Sequence, residues 1–280
     1  MHTDTSIRFA IDPARAAAMG TDELRRNFHI GDLFAPDRIR LTYSHYDRLI
    51  VGGATPVSGA LKLEAVKPTG TAEFLARREL VAVNIGAAGV VVADGQSYAI
   101  GPHDMIYLGM GVRSVAFASA HRGSPAKFYL LSAPAHESLP TRHIGIGDAK
   151  RVDLGSQDTS NQRSIFQFIH PEGAKTCQLV AGITMLAPGS VWNTMPCHVH
   201  DRRSEVYLYF DLAESARVFH FMGRPQETRN LVIKNEEAVL SPGWSIHSGA
   251  GTSNYSFIWA MAGDNVDYTD VDPVSMEDLR

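Results

Sequence analysis

The sequence predicts an all-β protein, a sandwich or barrel architecture present twice, with short helices at its N-terminal end. Three observations carry this. Beyond about Ile39 the chain breaks into short runs rich in β-branched and aromatic residues, separated by Gly, Pro, Asn and Asp, the punctuation of strands joined by turns. Within them, Ala93-Asp94-Gly95-Gln96 carries the Asp-Gly pair of a tight hairpin. The runs also fall into two series of comparable length, which suggests duplication.

The first forty residues read as helical. Asp12-Pro13 offers an N-cap followed by proline at the first helical position, Ala14-Arg15-Ala16-Ala17-Ala18-Met19 is rich in helix formers, and Gly20 suits the C-terminal stop. Thr21-Asp22-Glu23 restarts a helix with a cap and an acidic first turn. These helices are expected to cover a sheet or a subunit contact. The first β series comprises 40–43, 80–85, 89–93, 105–108, 115–118 and 127–131; the second comprises 164–169, 176–186, 198–210, 217–222, 231–234, 238–240 and 256–261. Between them the stretch from Ala133 to Pro140 reads as a crossover. It divides the chain into a first domain of residues 1–145, which includes the helical segment, and a second of residues 146–280.

Composition narrows the function classes. With 44% hydrophobic and 20% charged residues, the chain of 280 has the balance of a soluble globular enzyme. A net charge of -4 and the lack of a basic stripe argue against a nucleic-acid partner, although local arginines could still bind a small anion. The stretch Met1-His2-Thr3-Asp4-Thr5-Ser6-Ile7-Arg8 has no basic region leading into an apolar run, and no window approaches eighteen apolar residues, so no membrane association and a cytoplasmic location are expected. Cys177 and Cys197 are too few for a disulfide framework and are expected to be thiols.

The chemistry concentrates in Met195-Pro196-Cys197-His198-Val199-His200-Asp201-Arg202-Arg203-Ser204-Glu205 and, some forty residues on, Pro242-Gly243-Trp244-Ser245-Ile246-His247. His198, His200, Glu205 and His247 offer three imidazoles and a carboxylate, a set that borderline divalent metals such as zinc prefer. On a strand, His198 and His200 share a face. Glu205 lies five beyond His200, so Asp201 to Ser204 must supply a turn or bulge that restores its parity. The bland alternative is a set of ordinary half-buried histidines, since the chain has 12; the combined spacing speaks against it. By the same alternation Cys197 faces away, as a small buried apolar residue. His103, in the turn Gly101-Pro102-His103-Asp104, has no His-x-His partner, so the first half reads as structural, without a metal.

His-x-His, a spaced Glu and a later His after Pro-Gly resemble the metal motifs of the cupin superfamily, with Pro242-Gly243 adjacent where the usual motif has Pro-x-Gly. A resemblance spanning nearly the whole chain is to the 5-keto-4-deoxyuronate isomerase family. It is carried by Thr194-Met195-Pro196-Cys197-His198, Arg203 with Glu205-Val206-Tyr207, Val218-Phe219-His220, Met222-Gly223, Pro225-Gln226-Glu227-Thr228-Arg229, Trp244 to Gly249, Tyr43 to Arg48 and the closing Asp278-Leu279-Arg280. That resemblance implies a bicupin, two cupin-like antiparallel β-barrels, the first without metal. It further implies a ketol-isomerase converting 5-dehydro-4-deoxy-D-glucuronate to 3-deoxy-D-glycero-2,5-hexodiulosonate in the breakdown of pectin or other uronate polysaccharides. One Zn2+ per subunit on His198, His200, Glu205 and His247, and a homo-oligomer, typically a hexamer, belong to the same expectation.

For the small sugar-acid substrate such an enzyme takes, the carboxylate calls for a guanidinium, and Arg163 and Arg203 are the candidates. The proton carrier stays open among Glu205, Glu227, Asp201, Tyr207 and Lys175. His220 reads as a packed histidine or an additional site group. Two other classes remain: an iron-dependent cupin dioxygenase, which would consume oxygen, and a non-catalytic sugar-acid-binding cupin.

Overall fold

The structure, a computed structural model, describes residues 3–280; Met1 and His2, part of the N-terminal stretch read above, lie outside the described residues. The chain folds as two compact units. One gathers the segment ending at Arg8 with Asp32–Ala149 and Phe168–Leu179; the other gathers Phe9–Gly31, Lys150–Gln167 and Val180–Arg280.

The units therefore exchange two segments across the boundary expected at residue 145. The helices join the second unit because His29–Ile30, directly after them, pairs with Glu237–Ser241, and because Phe28 meets Trp244 edge-on at 6.2 Å. The segment ending at Leu179 joins the first unit through Glu79, a fully buried carboxylate. Glu79 accepts the backbone N–H groups of Cys177 at 2.7 Å, Gln178 at 2.8 Å and Leu179 at 2.9 Å, and the hydroxyl of Tyr107 at 2.9 Å. Removing it would leave four donors without their acceptor, two of them, the Leu179 N–H and the Tyr107 hydroxyl, fully buried. Glu79→Ala is expected to lower the unfolding free energy by about 3–5 kcal/mol, read from the shift of the urea midpoint.

Thr3–Arg8, read from sequence within a helical stretch, is instead a strand pairing in parallel with Ile39–Ser44. β-branched Thr3, Thr5 and Ile7 alternate along it, which favours a strand over a helix. The helix Pro13–Ala17 is capped as expected, the Asp12 side chain accepting the Arg15 N–H at 3.0 Å with proline at the first position. Gly20 does not end it; the helix stops at Ala18, and Gly20 is the N-cap residue of the next helix, Thr21–Phe28.

In the first unit a seven-stranded sheet runs in the order Thr3–Arg8, Ile39–Ser44, Ile50–Ala54, Phe128–Pro134, Arg78–Asn84, Met105–Leu108, Arg142–Ile144, and a four-stranded sheet in the order Leu61–Lys62, Val115–Ser119, Gly89–Ala93, Gln96–Ile100. Asp94 and Gly95, with φ of 47° and 83°, make the expected hairpin, a turn that needs positive φ at both central positions. Leu41, Leu80, Ile106 and Leu130 of the large sheet cluster with Val91, Ile100 and Phe117 of the small one, so the apolar faces of the two sheets meet.

The second unit repeats the plan. Its seven-stranded sheet is ordered Lys150–Leu154, Arg163–Ile169, Val180–Leu186, Ser256–Gly263, Arg203–Phe210, Glu237–Ser241, His29–Ile30; its four-stranded sheet is ordered Trp192–Asn193, Ser248–Gly251, Val218–Arg224, Glu227–Ile233. The helices Pro13–Ala17 and Thr21–Phe28 pack on the last strands of the small sheet. Among the described residues no sheet closes on itself: alternation sets which face a strand buries, whereas closure depends on edge pairing that alternation does not encode. No described helix is long and apolar enough to cross a membrane.

The two plans match in strand number and central order, although the first edge strand pairs in parallel in one unit and antiparallel in the other. Arg78–Asn84 and Arg203–Phe210 occupy the same place in their sheets, and each begins on a buried arginine. Two residues on, the first has Leu80, cross-paired with Ser132 and Leu108; the second has Glu205, cross-paired with Met261 and Ser241. One substitution of leucine for glutamate at this register position separates an apolar filler from a candidate ligand.

Candidate metal centre and its cavity

His198–Val199 is a two-residue strand paired with Asp272–Pro273. His200 follows it, and a turn through Asp201 and Arg202 is closed by the Arg203 N–H donating to the His200 carbonyl at 3.2 Å. The sequence pattern of one extended run over 198–210 is thus interrupted, and the interruption is the parity-restoring turn that Glu205 requires. From Arg203 the chain is a central strand paired on both edges, which holds the Glu205 backbone rigid.

The second motif is docked on the first by glycine. The His200 N–H donates to the Gly243 carbonyl at 3.0 Å, and a Cβ at Gly243 would lie 2.4 Å from the His200 carbonyl oxygen. Only a residue without a side chain permits that approach. The turn closes with the Ser245 N–H on Pro242, and His247 emerges two residues later, beside the other imidazoles.

The ligand atoms of His198, His200, Glu205 and His247 all lie within 4.8 Å of one another. Oε2 of Glu205 is 2.8 Å from Nε2 of His200 and 2.8 Å from Nε2 of His247, and the His247 and His198 Nε2 atoms are 2.9 Å apart. His200, Glu205 and His247 are buried, while His198 is half-buried. Nδ1 of His200 faces the Asp270 carbonyl at 3.0 Å, and Nδ1 of His247 faces that of Ser245 at 3.4 Å. A carbonyl only accepts, so each Nδ1 carries a hydrogen, which fixes the ring with its Nε2 toward Glu205. Three imidazole nitrogens and one carboxylate oxygen thus crowd a single point, and each is able to bind a cation placed there. The donor chemistry therefore fits a divalent ion with nitrogen and oxygen ligands.

Electrostatics agree. Burial pulls the His198 imidazole down to about 3, with His247 and His200 adding to the effect and Glu205 opposing it; the ring is neutral at neutral pH and able to act as a ligand. Burial by itself would raise the Glu205 carboxyl, but the facing His247 and His200 hold it well below the usual carboxylate range, so it is ionised, as a metal ligand must be.

A cavity of about 350 Å³ opens beside this cluster. His198, His200, Glu205, Tyr207, Thr194 and Arg163 face it, and Leu154, Ile165, Trp259 and Met261 give it an apolar wall. His247 closes the cluster from behind. Of the two arginine candidates, Arg163 lines the cavity; Arg203 does not, being buried with Nη2 donating to the Asp270 carbonyl at 2.5 Å. Because His200 uses the same carbonyl, Arg203 steadies the ligand rather than the cavity. Of the residues considered as proton carriers, Glu205 and Tyr207 line the cavity, whereas Asp201, Glu227 and Lys175 are exposed and do not. His220 is fully buried with Nδ1 2.8 Å from the Tyr209 hydroxyl, and burial pulls it down to about 3; it packs behind the site. Cys197 is buried against Ile246 and Val274, facing away from the cluster, and burial pushes its thiol up. Cys197→Ala is accordingly expected to leave turnover within about threefold, at a stability cost of about 1 kcal/mol, checked by assay and thermal melting.

Sequence reasoning missed the wall contributed by Tyr268, Thr269 and Val271. These come from a polar segment with no strand periodicity. Arg202 pins it, its guanidinium reaching the Asp270 carboxylate at 2.6 Å and that of Asp272 at 2.9 Å; the one hint in the sequence was Arg202 next to a ligand motif.

Residues 36–274 match the model of the KduI/IolB family. Over 279 residues, covering 100% of this chain and 99% of the relative, the chain is 70% identical to 4-deoxy-L-threo-5-hexosulose-uronate ketol-isomerase 2 of Rhizobium meliloti strain 1021. Among solved structures, an IolB-like protein from Salmonella typhimurium LT2 superposes with a TM-score of 0.65 at 17% identity, covering 79% of this chain and 85% of that one. An oxalate decarboxylase from Lactobacillus farciminis, a cupin-like fold, superposes with a TM-score of 0.56 at 11% identity, covering 81% and 79%.

Proposed function

Because this chain belongs to the KduI/IolB family, we infer from its relatives' activity and its own site that it is a 4-deoxy-L-threo-5-hexosulose-uronate ketol-isomerase. It converts 5-dehydro-4-deoxy-D-glucuronate to 3-deoxy-D-glycero-2,5-hexodiulosonate. The observation that carries the reading is the convergence of four donor atoms within 4.8 Å at the edge of a cavity.

The reaction moves a carbonyl from C1 to C2 of an open-chain sugar acid. His198, His200, Glu205 and His247 would hold a divalent cation, for which their nitrogen and oxygen set favours Zn2+. Such an ion supplies Lewis acidity toward the substrate's C1 and C2 oxygens. The remaining work falls to the protein. The Asp270 and Ser245 carbonyls orient the imidazoles. Leu154, Ile165, Trp259 and Met261 exclude water, which strengthens polar contacts inside. Tyr207, hydrogen-bonded to Thr194, places two hydroxyls beside the ligands, where they can bind sugar oxygens.

The wider setting rests on resemblance: each pair of sheets acts as a cupin-type barrel, the chain works in the cytoplasm as a homo-hexamer, and the polymer upstream is pectin or another uronate polysaccharide. Similarity to the oxalate decarboxylase supports the barrel reading. Incubating the metal-loaded protein with the unsaturated uronate released by a polysaccharide lyase, and following aldose-to-ketose conversion by NMR, tests the activity. Conversion is expected; none with zinc, manganese, nickel or iron in turn would overturn it.

A further inference from the structure

Within the ketol-isomerase reading, we propose that Arg163 holds the substrate's C6 carboxylate and is the residue that makes the site select uronates over neutral aldoses. Among the described residues that line the cavity it is the one lysine or arginine. It opens the strand Arg163–Ile169, cross-paired with Leu154, so its backbone is fixed in a sheet and a second cavity residue stands opposite.

Its guanidinium is only partly committed. Nη1 donates to the Asn161 carbonyl at 3.0 Å, which fixes the plane of the group, while Nε is buried without a hydrogen-bond partner. Among the described residues Nη2 makes no hydrogen bond and is not among the buried atoms, so it is the donor that a carboxylate entering the cavity can reach. Arg203 also has buried N–H groups without partners, but the acids Glu205, Asp270 and Asp267 act on it, whereas the groups acting on Arg163 are the phenols Tyr268, Tyr207 and Tyr255. Arg163 thus stands in an apolar-walled cavity as a cation without a carboxylate of its own. Among the described residues lining that cavity Glu205 is the one acid, and it is engaged by two imidazoles. A planar guanidinium with free donors matches a carboxylate in charge and in shape. With the aldehyde end at the quartet, the acid end of a six-carbon chain has Arg163 as its cationic partner.

The test compares two substrates on the metal-loaded protein, the uronate and its C6 carboxamide, for wild type and Arg163→Gln, with bound metal measured in both. For the uronate, kcat/KM of the variant is expected to fall about 100-fold, mostly through KM, as for the loss of a charge-assisted pair. For the carboxamide the two proteins should agree within about threefold, and bound metal should be unchanged. Equal falls on both substrates, or an unchanged uronate kcat/KM, would overturn the assignment. Failure of the wild type itself to convert the uronate would instead overturn the isomerase reading, so the two failures are distinct. Arg163→Lys, which keeps the charge without the fork, provides a folded control and is expected to recover only part of the loss.

Discussion

Replacing His247 with alanine is expected to remove the bound metal and, with it, isomerase turnover. The side chain is buried, its Nε2 is 2.8 Å from Glu205 and 2.9 Å from His198, and its partner Nδ1 is oriented by the Ser245 carbonyl. Loss of groups that merely orient a ligand already costs about 10–100-fold; loss of a ligand from a four-donor site should exceed about 10³-fold in kcat/KM, with metal retained through gel filtration falling to below about a tenth of an ion per chain. Elemental analysis and the NMR assay check both readings, and circular dichroism confirms that the variant is folded. Full activity in a metal-free His247→Ala protein would defeat the Lewis-acid account.

The second large effect is acid instability of the chelator-treated protein. Burial pulls His198 and His220 from 6.5 to about 3. Between those values the unfolded chain binds protons that the folded chain refuses, so stability rises with pH across the window and falls on acidification. Each imidazole contributes about 1.4 kcal/mol for every step of one in pH. From pH 6.5 to about pH 4.5 the pair should therefore cost up to about 5 kcal/mol, less for His198, which is partly open to solvent. Glu205 acts in the same sense below 4.5: held low by His247 and His200, its stabilisation is present above its unfolded value and is lost as pH falls. Urea unfolding in chelator at several pH values measures the slope; a flat profile between pH 6.5 and 4.5 would sink it. Loaded protein should resist further, since metal competes with protons for the same nitrogens.

Much of the site was legible in the chain. His198, His200, Glu205 and His247 stand together because the pattern encoded both the close His-x-His spacing and the turn that brings Glu205 round. The hairpin at Asp94-Gly95 and the cap at Asp12 were legible for the same reason: each depends on local backbone conformation and on side-chain reach of three or four residues. Thr3–Arg8 was misread as helical, since its partner Ile39–Ser44 lies over thirty residues away. The segments that changed units did so through Glu79 and through the His29–Ile30 edge, contacts spanning about 100 residues in one case and about 200 in the other.

The chain by itself determined the strand-rich class, the twofold series and the identity of the four candidate ligands, because alternation and turn chemistry act over a few neighbours. Tertiary structure alone decided which arginine faces the cavity, that Asp270 orients His200 through a carbonyl any residue could have supplied, and that Leu80 fills in one unit the register position held by Glu205 in the other. Those outcomes depend on which surfaces meet when distant strands pair, and residue spacing carries no record of that.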